Sequence, residues 1–391
     1  RGEVQPGAEG GAIDHRDDRL GALLERERDA LLPAQILDAL FRRALPPMLV
    51  GLGLAQLGPD GQGSLGGTDS LCDLNNAGTG CAGPSDQHLQ GACTSYVVLT
   101  RDGNLLTLRS DLTTPVAALA ARHLLSPDEP TRLYYSGTVF RAQKPGSGKP
   151  LERRQVGAEL IGHGATGVQA DVEILSMAAE GLISIRLRDF CIGLSDAGLL
   201  SAILDAAGAQ GDAGERIRSA LAARDYVLYG ELVSSLDGAA RCHEPRCADL
   251  LKRLPHLHDR AEVLQALQTA GVCAAAAGLI QALDALDSRG LGRHFRLDLA
   301  ITRRFRYYTG VVFEGYAPGC GNAVIGGGRY DNLLAHFGAS APAAGFAVDI
   351  DSVASALDAL GGPAESEGGA RQWSRRSWTN PASFEAVRSR H

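Results

Sequence analysis

Leu133-Tyr-Tyr-Ser-Gly-Thr-Val-Phe-Arg141 and Arg153-Arg-Gln-Val-Gly-Ala-Glu-Leu-Ile161 flank the segment Ala142-Gln-Lys-Pro-Gly-Ser-Gly-Lys-Pro-Leu-Glu152. The outer stretches are rich in aromatic and branched residues, and the middle one carries the prolines and glycines that interrupt strands. The pattern predicts a strand, a loop and a returning strand, so the sheet contains an antiparallel hairpin. Side chains alternate along a strand, which puts Gln155, Gly157 and Glu159 on one face. An amide and a carboxylate are then expected to stand two residues apart, over a gap left by glycine.

Working upstream, Tyr96–Thr100 and Asn104–Leu108 read as strands joined through Arg101-Asp102-Gly103, because Asp-Gly favours a tight hairpin. Thr113-Thr114-Pro115 predicts a helix start, a hydroxyl cap followed by proline in the first turn, with the helix running through His123. Residues 13–43 have helical leucine spacing, while 45–92 are rich in Gly, Pro, Ser, Asp and Asn and read as an unusually long loop.

Downstream, Val168–Leu182 is an amphipathic helix with Val172, Leu175, Ala179 and Leu182 on one face. Strands are expected at Ile185–Ile192, Phe295–Ile301, Thr309–Tyr316, Asn322–Ile325 and Gly345–Ile350, with a helix at Tyr330–Phe337. Helices dominate 197–289. This order is α+β, not the strand–helix alternation of a doubly wound sheet. The expected organisation is an N-terminal arm (1–30), a core in two parts (31–196 and 290–358), a helical insertion (197–289) and a disordered tail (359–391).

The 391 residues carry 38 basic and 45 acidic side chains, a net charge of −7 that argues against a nucleic-acid-coating protein. At 45% apolar and 21% charged, the chain is globular in composition. Only Lys144, Lys149 and Lys252 are lysines, so arginine carries nearly all the positive charge. Apolar runs such as Ala44–Leu57 fall short of the ~18 residues of a membrane span, and the charged start lacks a signal core. Arg1 is not an initiator residue. No membrane association and a cytoplasmic location are expected. Eight cysteines are too few for a disulfide framework. Neither the group Cys72, Cys81, Cys93 nor the group Cys242, His243, Cys247 has paired zinc-ligand spacing, so free thiols and no metal are expected.

Four segments carry chemistry: Leu108-Arg-Ser-Asp-Leu-Thr-Thr-Pro115; Phe140-Arg141 with Gln155 to Glu159; Arg303-Arg-Phe-Arg-Tyr-Tyr308 and on to Phe313; and Gly326-Gly-Gly-Arg-Tyr-Asp331 leading to Gly345–Asp351. Singly each has a bland reading as a helix cap, core packing or a turn. The three glycines match neither common phosphate-loop pattern. In this order and spacing the segments resemble the catalytic core of class II aminoacyl-tRNA synthetases, in the histidyl branch, over roughly residues 96–352. Leu108–Pro115, Tyr307–Phe313 and Gly327–Asp331 resemble in particular the histidyl-synthetase-like regulatory subunits of ATP phosphoribosyltransferase.

The resemblance implies an antiparallel sheet flanked by helices, and a histidine-binding set of Asp111, Thr113, Arg141, Gln155, Glu159, Tyr307 and Tyr308. An imidazole offers one donor and one acceptor, which a carboxylate and a phenol can read. Asp111 or Gln155 suits the α-ammonium, and Arg141 the α-carboxylate. The nucleotide side departs from the synthetase pattern. Gln143 stands where an acid is usual, Arg153 where an aromatic stacks on adenine, and Ser352 where an arginine meets the γ-phosphate. Asp349 and Asp351 flank that serine and are expected to repel a triphosphate. Arg303 aligns with the enzyme's special arginine, but Arg304 and Arg306 replace its neighbours. The 39 residues after Ser352 are fewer than an anticodon-binding domain of about a hundred needs.

These features imply a regulatory subunit with no catalytic residue and no cofactor, partnered by the short-form ATP phosphoribosyltransferase catalytic subunit in the first step of histidine biosynthesis. Feedback by L-histidine and a homodimer within a hetero-oligomer also follow from the resemblance. A histidyl-tRNA synthetase, or a catalytic fragment of one, and a stand-alone histidine sensor are the alternatives.

Overall fold

The computed structural model describes residues 96–99, 101, 105–143, 149–236, 244–302 and 307–360. The expectations for the N-terminal arm, the 13–43 helix, the 45–92 loop and the tail beyond 360 lie outside the described residues.

Two short strands, β1 (Val97–Leu99) and β2 (Leu105–Thr107), pair antiparallel. After α1 (Thr113–His123) come β3 (Thr131–Phe140) and β4 (Glu152–Ile161), paired antiparallel over ten residues from Thr131 opposite Ile161 to Phe140 opposite Glu152. This is the hairpin read from the sequence. Next are α2 (Gly167–Ser184) and β5 (Cys191–Asp196). Among the described residues six helices follow: α3 (Ala197–Ala206), α4 (Asp212–Ala223), α5 (Tyr226–Ser234), α6 (Pro245–Arg253), α7 (Arg260–Thr269) and α8 (Cys273–Ser288). The chain then returns to the sheet through β6 (Phe295–Leu297), β7 (Val311–Tyr316), β8 (Ile325–Arg329) and β9 (Ala343–Asp349), and ends the described part in α9 (Ile350–Ala359).

The seven-stranded sheet has the order β3-β4-β9-β8-β7-β5-β6. Every pair is antiparallel except β5 and β6, where Ile192 lies opposite Phe295 in a parallel pair. The expected antiparallel sheet thus has one parallel edge, because the helical segment carries the chain between two neighbouring strands as a crossover.

Alternation on β4 gives each face its function. Val156, Ala158 and Leu160 join Val172, Leu175, Ala179 and Leu182 of α2 in the larger core. Gln155, Gly157 and Glu159 point the other way, towards a smaller cluster built on Leu112, Leu133, Tyr135 and Tyr330. Caps set helix starts: Asp196 accepts from Leu199 N, Asp225 from Leu228 N, and Asp349 from Ser352 N. Each such cap is worth about 1 kcal/mol.

Several expected boundaries shift. The Ile185–Ile192 strand begins only at Cys191, since α2 continues to Ser184 and Arg186 then turns left-handed at φ 69°. Phe295–Ile301 is a strand only to Leu297. The strand expected at Asn322–Ile325 instead runs from Ile325 through the glycines to Arg329. A β-carbon on Gly327 would lie 2.2 Å from Gly345 O, so a bare backbone is what fits against the neighbouring strand. The Tyr330–Phe337 helix is a single 3₁₀ turn, Leu334–Phe337, closed by Gly338 at φ 93°.

Candidate functional site

Above the β4-β9-β8 surface lies a cleft of about 250 Å³. Six of the seven sequence-predicted residues line it: Asp111, Thr113, Arg141, Gln155, Tyr307 and Tyr308. Glu159, 2% exposed, lies directly behind the wall.

Asp111 opens α1. Its carboxylate accepts from Thr114 N at 2.9 Å and from Thr114 Oγ1 at 3.1 Å. The expected hydroxyl cap on α1 is therefore a carboxylate cap, and the Thr113 hydroxyl turns into the sheet and donates to Glu159 Oε1 at 2.8 Å. Tyr330 donates to the other oxygen, Oε2. Burial pushes the Glu159 carboxyl up to about 7, against the pull of its hydrogen bonds from Tyr330, Thr113 and Tyr135. Burial likewise raises Asp111.

The gap expected over Gly157 is filled. Tyr135 stands on it, so that a β-carbon there would meet Tyr135 Cζ at 2.3 Å. Glycine makes room for a phenol, not for ligand. The Tyr307 and Tyr308 rings lie 4.8 Å apart, and Tyr307 meets Tyr330 edge-on at 5.7 Å. Arg141 Nε donates to Ser110 O at 2.9 Å, tying the hairpin to the loop before α1.

The end of the cleft towards α9 is organised by ion pairs. Arg153 Nη1 meets Asp349 Oδ2 at 3.2 Å, while Asp349 Oδ1 accepts from Ser352 N at 2.9 Å. Arg154 holds Asp351 through Nη2 at 2.7 Å and through its backbone N–H at 3.0 Å. Asp349 and Asp351 are thus not bare charges beside Ser352. Their expected repulsion of phosphate is largely offset by two arginines on β4, a correction set by the register that places Gln155 opposite Asp349. Arg303, Arg304 and Arg306 lie outside the described residues.

Sequence reasoning missed three contributors. Tyr135 and Tyr330 look like ordinary core tyrosines; the only signal for Tyr135 is that Gly157 lies opposite it on the neighbouring strand. Arg224, at the left-handed end of α4, reaches the cleft and donates to Tyr316 OH, with Glu314 Oε2 at 3.4 Å and its guanidinium 5.5 Å from the Tyr316 ring centre. No local pattern marks that pairing. Arg329, in contrast, is structural: it binds Asp171 at 2.7 Å, Asp331 at 3.1 Å, and the carbonyls of Ala165 and Gly167.

Among the described residues no group of three His, Cys, Asp or Glu side chains is placed to hold a metal. Cys191, Cys247, Cys273 and Cys320 are free thiols, and the buried Cys247 donates to Ala270 O at 3.5 Å. Cys72, Cys81, Cys93, Cys242 and His243 lie outside the described residues. No helix among the described residues is long and apolar enough to cross a membrane.

A strand-floored cleft with a hairpin arginine, a carboxylate at a helix start and a glycine-rich inner strand defines the class II synthetase core. The solved structure of an ATP phosphoribosyltransferase regulatory subunit/histidyl-tRNA synthetase from Bacillus halodurans C superposes with a TM-score of 0.59 at 34% identity, over 69% of each chain. A histidine–tRNA ligase subunit from Alicyclobacillus acidocaldarius shares the fold at a TM-score of 0.62 and 24% identity, over 92% of this chain and 98% of that one.

The family model described as histidyl-tRNA synthetase matches residues 86–353. The ATP phosphoribosyltransferase regulatory subunit of Moorella thermoacetica is 40% identical over 262 residues, 66% of this chain and 65% of that protein. The subunit of the same name from Symbiobacterium thermophilum is 38% identical over 279 residues, 70% and 67% of the two chains. The chain belongs to the histidyl-tRNA synthetase family, among its ATP phosphoribosyltransferase regulatory subunits. It spans about 65% of the length of the first of those relatives.

Proposed function

We propose that this chain is a non-catalytic regulatory subunit that binds the short-form ATP phosphoribosyltransferase catalytic subunit in the cytoplasm, enables the first step of histidine biosynthesis, and lets L-histidine inhibit it. The observation that carries the reading is the asymmetry of the cleft. Its Asp111–Thr113–Tyr307 end presents a small polar pocket backed by the buried Glu159. At its other end Arg153 is held by Asp349, and a serine stands at 352.

In this reading the imidazole lies against Thr113, Tyr307 and Tyr308, with Glu159 orienting the hydroxyls behind them. Asp111 or Gln155 takes the α-ammonium, and Arg141 the α-carboxylate. A pocket that pairs both ring nitrogens rejects apolar isosteres, which would leave buried polar groups unpaired. The names of the relatives support the partner. A homodimer within the hetero-oligomer is part of the same proposal.

The test is reconstitution with a short-form catalytic subunit, following formation of phosphoribosyl-ATP. The expected result is a stable complex, a rate above that of the catalytic subunit alone, and inhibition by histidine. Absence of both complex and activation would overturn the reading.

A further inference from the structure

Among the described residues the exposed large apolar side chains are Leu151, Tyr226, Val227 and Leu228, and the last three are consecutive at the start of α5. Val227 is 75% exposed, with Tyr226 at 39% and Leu228 at 40%. Exposed apolar residues are ordinary singly; three together, on a helix already anchored by the buried Tyr229 and Val233, mark a contact. Beside them stands Gly230, exposed, where an added β-carbon would meet nothing within 4 Å. Glycine inside a helix is destabilising relative to alanine, and no described neighbour requires it here. Its bare backbone leaves a shallow seat next to Tyr226 and Val227, flanked by the exposed carboxylates of Asp225 and Glu231.

Three side chains fall well short of the ~800 Å² per partner that a stable interface between separate molecules buries. A segment of the same chain needs no such area, because tethering holds it at an effective concentration in the mM range. The chain beyond α9 carries the chemistry that complements this face. Both tryptophans of the protein, Trp373 and Trp378, stand there around Arg375-Arg376, and residues 371–391 hold five arginines against one glutamate in a chain of net charge −7. Indoles suit the apolar side chains, and the arginines suit Asp225 and Glu231. The end of α9 is also near: Ala359 packs on Gly319 in the β7–β8 turn. Gly319 lies three residues past Tyr316, whose hydroxyl accepts from Arg224, two residues before Tyr226. Residues 361–372, rich in glycine, reach about 40 Å when extended, ample for a path of two side-chain contacts and five residues.

We propose that the segment Arg371–Trp378 docks on the Tyr226–Glu231 face of α5 in the same molecule, with its indoles over Val227 and Gly230 and its arginines beside Asp225 and Glu231. The tail, expected from composition to be disordered as a whole, then holds one stretch that orders on this face. Docked there, it braces the turn that brings Arg224 from the end of α4 to Tyr316 at the wall of the cleft. The docking does not rest on the regulatory reading.

The test reads the two tryptophans of the full chain, both of which lie in the docking segment. Acrylamide quenching of their emission is expected to be at least twofold weaker in the folded chain than in the urea-unfolded one, and unchanged on hundredfold dilution. Val227→Lys, which sets a cation against the arginines at an exposed position, is expected to restore the quenching of the unfolded chain with the melting temperature unchanged. Should that variant melt early, Gly230→Arg, which raises helix propensity while filling the seat, is expected to give the same restoration. Quenching as strong in the folded as in the unfolded chain overturns the proposal and leaves the face to another protein. Protection that both variants leave intact also overturns it, because the tryptophans are then covered elsewhere. Protection lost on dilution overturns it too, and assigns the face to the tail of a second copy.

Discussion

The carboxylate of Glu159 occupies the space that a side chain on Gly345 would need: a β-carbon there would lie 1.5 Å from Glu159 Oε2. The two residues face each other across the β4–β9 pairing, so the buried acid exists only because the opposite strand carries glycine. Thr113 and Tyr330 then close over it from the start of α1 and the end of β8.

Gly345→Ala should displace that carboxylate and strain β9, since Ala158 O also lies 2.7 Å from the added carbon. Overpacking of this kind costs about 1–3 kcal/mol. Urea unfolding should show that loss, together with weakened histidine binding. Unchanged stability would mean that Glu159 can vacate the site freely.

Glu159→Gln should change the pH dependence of stability. The folded carboxyl titrates at about 7 and the unfolded one at 4.5, so between these values the native state holds a proton that the unfolded chain has released. Stability from this group is therefore present below 4.5 and is lost as pH rises to about 7. The glutamine stays neutral and removes the loss. The stability difference between the two proteins should shift in favour of the glutamine by roughly 3 kcal/mol across that window and then level off. Denaturation midpoints at pH 5 and pH 8 check this; a difference between the two proteins that does not shift with pH contradicts it.

Arg329→Met should be the most destabilising of these substitutions. It leaves Asp171 buried without its guanidinium and frees the Ala165 and Gly167 carbonyls. Breaking a buried pair by removing one partner costs about 3–5 kcal/mol. Adding Asp171→Asn should recover part of that loss, because the stranded charge is gone. No recovery in the double variant would show that the carbonyl contacts carry the cost.

Much of the architecture is legible in local pattern. Thr-Thr-Pro marks the start of α1, which runs from Thr113 to His123 as the spacing predicts, and the β3–β4 hairpin follows from its branched and aromatic strands. What local pattern hides is decided across the sheet. Gly326–Gly328 has poor strand propensity, yet is a central strand because its neighbours leave no room for side chains. The pairing of Arg153 with Asp349 joins residues 196 apart in sequence. It becomes visible only when β4 and β9 are set in register. Six of the seven residues implied by the resemblance line the cleft, because each sits in a segment whose local pattern carries that resemblance. Tyr135, Tyr330 and Arg224 are of types that cores and surfaces use everywhere.

The central claim is that this cleft holds an amino acid without activating it. Histidine-dependent exchange of pyrophosphate into ATP, measured on full-length chain whose histidine binding has been established by calorimetry, tests it most directly. The account predicts a rate no different from the protein-free blank at saturating histidine and magnesium-ATP. Exchange that requires histidine and rises in proportion to the protein added would contradict it.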